Sequence, residues 1–77
     1  MMTEKQIYRR MNECYEMEYG AHDEEDEWYG DDDFKIWRFH RPSEDLEVKL
    51  EMIEERKRVD IFEKRNGEYQ KVGNYKW

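Results

Sequence analysis

The sequence predicts an α+β domain: one N-terminal amphipathic helix packed on a four-stranded antiparallel β-meander, with an acidic loop between them. Three observations predict it. Apolar residues recur at helical spacing from Ile7 to Tyr19, then switch to alternation beyond residue 34. Asn66-Gly67 is the strongest short hairpin signal in the chain. The 77 residues suffice for one small domain, spanning 1–77.

The helix is expected over about residues 4–19. Thr3 can cap it, and Gln6 completes a Thr-x-x-Gln capping box. Ile7, Met11, Cys14 and Tyr15 share one face, with Tyr8 and Tyr19 at its margins, while Arg9, Arg10, Asn12, Glu13 and Glu16 fall mostly opposite. Gly20 is the natural stop. An acidic loop then covers about residues 20–33, and the meander about 34–76.

The first strand reads from Phe34 to Arg41 and stops at Pro42. In the second, Leu46, Val48, Leu50 and Met52 alternate with Glu47, Lys49 and Glu51. Val59 and Ile61 open a third strand that runs to Arg65, and the fourth covers about Glu68 to Lys76. The polar connections Pro42–Asp45 and Glu54–Lys57 suit hairpins. A two-residue turn at Asn66-Gly67 pairs Arg65 with Glu68, Phe62 with Lys71, Ile61 with Val72 and Arg58 with Tyr75. Val59, Ile61 and Val72 then share a face with Phe34, Ile36, Leu46, Val48, Leu50 and Met52, and the helix should cover it. The opposite face collects Phe62, Tyr69 and Tyr75 with Lys64 and Lys71, and strict alternation adds Lys35, Trp37, Phe39 and Arg41.

Charge is distributed unevenly. The chain has 14 Lys and Arg against 21 Asp and Glu, a net charge of −7. That balance argues against direct binding of duplex DNA and of anionic membranes. Eight of the 21 acids fall within residues 23–33, without one base, so the remainder is almost neutral. Residues 1–33 carry 12 acids and three bases; residues 34–77 carry nine acids and 11 bases. A fold that keeps these halves apart is an electric dipole. No stretch reaches the roughly 18 apolar residues of a membrane span, and Met1–Lys5 has no apolar signal-peptide core behind it. Cys14 is the single cysteine and fits a reducing compartment, so the expected localisation is cytoplasmic.

An inventory of reactive groups argues against an enzyme. Ser43 and Thr3 are the only hydroxyl nucleophiles besides tyrosine, and His22 and His40 the only imidazoles, with no base-and-orienter pattern among them. Gly20, Gly30, Gly67 and Gly73 form no phosphate-cradling loop. Calcium-loop spacing cannot be laid over Asp23–Asp33, and His22, His40 and Cys14 lack transition-metal spacing. No catalytic residue, metal site or cofactor is expected.

The acidic segment is the leading candidate for partner binding: Asp23, Glu24, Glu25, Asp26, Glu27, Trp28, Tyr29, Asp31, Asp32 and Asp33. Extended, it would span about 36 Å, with carboxylates about 4.5 Å apart on average. That spacing is of the order of the ~3.4 Å separating phosphates along one DNA strand. Trp28 and Tyr29 add the large aromatics in which interfaces are enriched. In size, acidic run and aromatic content, the chain resembles the small acidic proteins with which bacteriophages block host enzymes, anti-CRISPR and DNA-mimic inhibitors among them. The resemblance implies a non-catalytic inhibitor of a host protein with a basic nucleic-acid- or nucleotide-binding site. The alternative is an interaction module using the sheet face of Trp37, Phe39, Phe62, Tyr69 and Tyr75 for homodimerisation or single-stranded nucleic acid. The acidic segment would then serve only as a solubiliser.

Overall fold

The computed structural model describes residues 2–21, 27–31, 33 and 35–77. Helix α1 (Glu4–Tyr19) covers one face of an antiparallel sheet of five strands, β1 (Glu27–Gly30), β2 (Ile36–Arg41), β3 (Leu46–Ile53), β4 (Arg58–Arg65) and β5 (Glu68–Lys76). The strands lie side by side in chain order, so every neighbour in the sheet is also a neighbour in sequence.

Helix α1 begins where its cap dictates. The Thr3 hydroxyl accepts from the Gln6 amide at 3.2 Å, and the Gln6 side chain accepts from the Thr3 amide at 2.9 Å. Two otherwise orphaned amides are thereby satisfied. At the other end Gly20 adopts φ 85°, and its amide donates to the Glu16 carbonyl at 2.8 Å. That left-handed backbone is where glycine avoids the Cβ penalty.

The core is a single cluster of Ile7, Met11, Cys14 and Tyr15 from the helix against Trp37, Phe39, Val48, Leu50, Met52, Val59 and Ile61 from the sheet. Tyr15 stacks on Phe39 with ring centroids 3.9 Å apart and planes 19° from parallel. Tyr8 tilts against Trp37 at 5.2 Å. Full burial of such side chains contributes roughly 1.5–3 kcal/mol each, which makes these rings the main source of stability in so small a domain. Polar ties hold the helix in place: the Tyr19 hydroxyl donates to Glu63 at 2.9 Å, the Tyr75 hydroxyl to Glu18 at 2.8 Å, and the Met2 amide to Glu54.

The expected sheet differs from the observed one in three ways. It has five strands, because Glu27–Gly30 forms an edge strand within the segment expected to be a loop. Glu27 opposes His40, Trp28 opposes Phe39 and Tyr29 opposes Arg38. The strand preference of adjacent Trp and Tyr outweighs the acidic surroundings.

Second, β2 presents the opposite parity. Trp37 and Phe39 are fully buried under the helix, and Ile36 faces the other way, half-buried. Both parities of this strand are apolar, so alternation alone does not choose. The set that can stack on Tyr8 and Tyr15 buries the larger rings, and a one-residue shift flips every side chain. Arg41 follows them to the helix side, its guanidinium 5.2 Å from the Tyr19 ring. Phe34 lies outside the described residues.

Third, a β-bulge interrupts the β4–β5 ladder between Ile61 and Phe62. Phe62 pairs with Lys71 and Arg65 with Glu68, but Ile61 pairs with Gly73, Val59 with Tyr75 and Arg58 with Lys76. The extra residue is Val72, which is 41% exposed instead of buried. Beyond it the parity reverses, so Tyr75 joins the helix side instead of the opposite face.

The turn at Asn66-Gly67 has φ 53° and 81°, the two positive values a type I′ hairpin requires. Glu54–Arg56 makes one 3-10 turn between β3 and β4, closed by Lys57 at φ 49°.

The register makes a contrast that urea denaturation can check. Trp37→Ala should cost about 3–5 kcal/mol, enough to leave a domain of this size barely folded, whereas Val72→Thr should change stability by less than about 0.5 kcal/mol.

Candidate functional site

The acidic segment enters the described structure at β1. From there its polar groups are used structurally. The Asp31 amide donates to the Ile36 carbonyl at 3.0 Å. Its Oδ1 accepts from the Lys35 amide at 3.1 Å and the Ile36 amide at 3.5 Å. Asp31 thus closes the β1–β2 connection as a side-chain acceptor for backbone amides four and five residues on. Tyr29 points away from the helix and is 62% exposed, and Asp33 is exposed. Trp28 is placed by register alone, opposite Phe39. Asp23, Glu24, Glu25, Asp26, Asp32 and His22 lie outside the described residues.

The face away from the helix is the second candidate surface. Of the five aromatics expected there, Phe62 and Tyr69 are present, while Trp37, Phe39 and Tyr75 belong to the helix side. The register instead builds one cross-strand row over all five strands: Tyr29, Arg38, Lys49, Phe62 and Lys71. The row holds three cations, two aromatic rings and no carboxylate. Lys49 Nζ sits 4.5 Å from the Phe62 centroid and 4.8 Å from that of Tyr69, and 3.6 Å from Glu51. Lys64 lies 5.7 Å from the Tyr69 ring and 3.3 Å from Glu47. Arg38 stands directly opposite Lys49 and makes no ion pair among the described residues.

Asp60 is the buried charge of this face, only 7% exposed between Arg58 and Lys71. Arg58 Nε lies 2.8 Å and Lys71 Nζ 3.3 Å from its Oδ1, and Arg58 Nη2 donates to Oδ2 at 3.3 Å. A carboxylate this enclosed persists because two cations offset its desolvation. Nothing in the alternation of β4 distinguishes it from a solvent-facing acid; its only signal is a charge of the opposite sign two residues before.

Two clefts open on the surface. One of about 300 Å³ lies between the helix and the C-terminus, lined by Met2, Gln6, Arg9, Arg10, Glu13 and Trp77. Arg10 is committed there to Glu13 at 3.7 Å and to the Trp77 ring at 4.8 Å. The other, of about 240 Å³, lies on the outer sheet face between Tyr29, Arg38, Phe39, His40, Glu47 and Tyr69. Among the described residues no group of three His, Cys, Asp or Glu could hold a metal ion. Likewise, no described helix is long and apolar enough to cross a membrane.

Cys14 is enclosed by the core, and burial pushes its thiol up to about 11, with Arg10 offsetting part of the rise. It is a small apolar core group, held in the protonated form that is neither nucleophile nor metal ligand. The Tyr19 phenol is raised by burial and by its bond to Glu63, and that of Tyr75 by its bond to Glu18 and by burial. Glu54 is lowered by the Met2 amide and by Lys35, whose Nζ is 3.2 Å away. Comparison with protein-family models, curated proteins and solved structures finds no match to this chain.

Two measurements follow. Asp31→Ala should cost about 1 kcal/mol and speed amide exchange at Lys35 and Ile36. Asp31→Asn should keep most of that protection, because its amide oxygen still accepts. The raised groups set the alkaline limit. A group whose folded pKa lies above its unfolded value lends stability below the unfolded value and loses it as pH rises through the folded one. Urea midpoints should therefore hold to about pH 8.5 and fall above it. Cys14→Ala should remove the part of that slope that lies between about pH 9 and 11.

Proposed function

We propose that this protein is a small, non-catalytic inhibitor of the phage type. It binds a host nucleic-acid- or nucleotide-handling protein, with the acidic residues of Asp23–Asp33 set against that partner's basic site. The observation that carries the reading is the link between charge order and strand order. Because the strands lie in chain order, the acid-rich segment attaches at the β1 edge, and the base-rich strands stand at the other. Residues 23–33 have eight acids and no base, while residues 58–76 have three acids and five bases. Five strands at about 4.8 Å spacing separate the edge strands by roughly 19 Å. That is about two Debye lengths at 0.1 M salt, so each edge presents its own field to a partner. Tyr29, exposed beside the acids, supplies an aromatic contact of the kind that anchors interfaces.

The alternative is contact through the outer sheet face, by homodimerisation or with single-stranded nucleic acid. It now rests on Phe62, Tyr69 and the acid-free row instead of the five aromatics expected, and two of those residues are already covered by Lys49.

An affinity pull-down from nuclease-treated host lysate separates the two. Wild type is run beside a variant with the eight acids of residues 23–33 changed to Asn and Gln, and beside Tyr69→Ala. The acidic-edge reading expects a basic, nucleic-acid- or nucleotide-binding protein captured by wild type and Tyr69→Ala, lost with the eight-fold variant, and released by moderate salt. Equal capture by wild type and the eight-fold variant would sink it.

A further inference from the structure

The cleft on the outer sheet face has the composition of a ligand site. Tyr29 at the edge strand, Arg38 on β2 and Tyr69 on β5 are among the residues that line it. Arg38 opposes Lys49 across the strand, both on the face away from the helix because their neighbours Trp37, Phe39, Val48 and Leu50 are buried. Like charges directly opposite in a sheet destabilise it. Lys49 is relieved by Glu51 and by the Phe62 and Tyr69 rings. Arg38 has no such relief among the described residues. An anion placed between the two cations would remove the repulsion, and Arg38 offers it a bidentate fork.

The remaining polar groups of the cleft are His40 and Glu47. His40 lies 3.9 Å from Asp45, and Glu47 is held by Lys64 at 3.3 Å, so the one carboxylate lining the cleft is already countered. The volume, about 240 Å³, is just below the usual range for small-molecule sites and suits one planar ring with one charged group. Tyr29, 62% exposed, offers a platform for such a ring, since every base has a π-face to stack.

We infer that this cleft binds a nucleoside-phosphate unit, the base against the exposed Tyr29 and the phosphate on Arg38, which stands opposite Lys49. The source is either a free nucleotide or one residue of a single strand. The inference is independent of the acidic-edge reading, because it uses none of the carboxylates of residues 23–33. It gives the sheet-face alternative a ligand class.

The test is a titration of the isotope-labelled protein followed by backbone amide shifts. The probes are adenosine 5′-monophosphate, adenosine, inorganic phosphate, an adenine pentanucleotide and an aspartate-rich peptide. The monophosphate should shift the amides of Tyr29, Arg38, His40, Glu47 and Tyr69 saturably. Adenosine and phosphate alone should each bind about tenfold more weakly, as expected when stacking and a charge-assisted contact both contribute. Arg38→Gln and Tyr29→Ala should each weaken the monophosphate about tenfold, and Glu47→Gln should tighten it. A pentanucleotide that binds more tightly than the monophosphate, with steep salt dependence, identifies a single strand as the source; equal or weaker binding identifies the free nucleotide. The inference is overturned by any of four results: no saturable shift, shifts centred on Arg9, Arg10 and Trp77, binding unchanged in a folded Arg38→Gln, or tighter binding of phosphate alone or of the acidic peptide.

Discussion

Tyr15 lies flat on Phe39 at 3.9 Å, and the rest of the sheet takes its orientation from that contact. With Phe39 under the helix, Trp37 and Arg41 must be there too, and Ile36, Arg38 and His40 must face outward. The ladder carries the choice across, placing Val48 and Leu50 opposite Phe39 and Trp37, and Ile61 beyond Leu50. A shift of one residue in β2 would bring Arg38 and His40 beneath the helix in place of Trp37 and Phe39, among the apolar side chains of the core. Burying them so would cost several kcal/mol. The acid-free row on the outer face is therefore the back of the same choice that stacks the core.

The sequence made the helix plain because its cap, its apolar stripe and its terminal glycine agree, and all three stand as expected. Strands β3 and β4 were equally plain, since one parity of each is apolar to the core. The turn at Asn66-Gly67 fixed its own hairpin, but only as far as Phe62. Past that point Gly73, isolated in a strand, is the mark of a bulge, and it alone could have warned that Val72 and Tyr75 change places. In β2 both parities are apolar, and the decision belongs to the helix rings across the core, which no local pattern contains. For β1 the signal was Trp28-Tyr29 followed by Gly30 and aspartates, a strand with its turn inside a run that its charge made look like a loop.

The acids of residues 23–33 are not equivalent. Asp31 is spent on the backbone of the β1–β2 connection, whereas Asp33 is exposed and makes no ion pair among the described residues. A carboxylate that fastens the strand and one that offers charge to a partner differ in what amidation removes. Asn can still accept from the Lys35 and Ile36 amides, so the charge of the segment can be changed while its attachment is kept.

The chain-order arrangement of the sheet also bears on how the molecule forms. Successive strands are joined by only two to five residues, so each pairing closes a short loop and can follow the one before it. The long closures belong to the helix: Tyr19 reaches Glu63 across 44 positions, Met2 reaches Glu54 across 52, and Tyr75 reaches Glu18 across 57. A sheet that zips up from adjacent hairpins therefore exposes the rings of Trp37 and Phe39 until the helix docks. In any order that pairs the hairpins first, those two rings stay in water until Tyr15 stacks on Phe39.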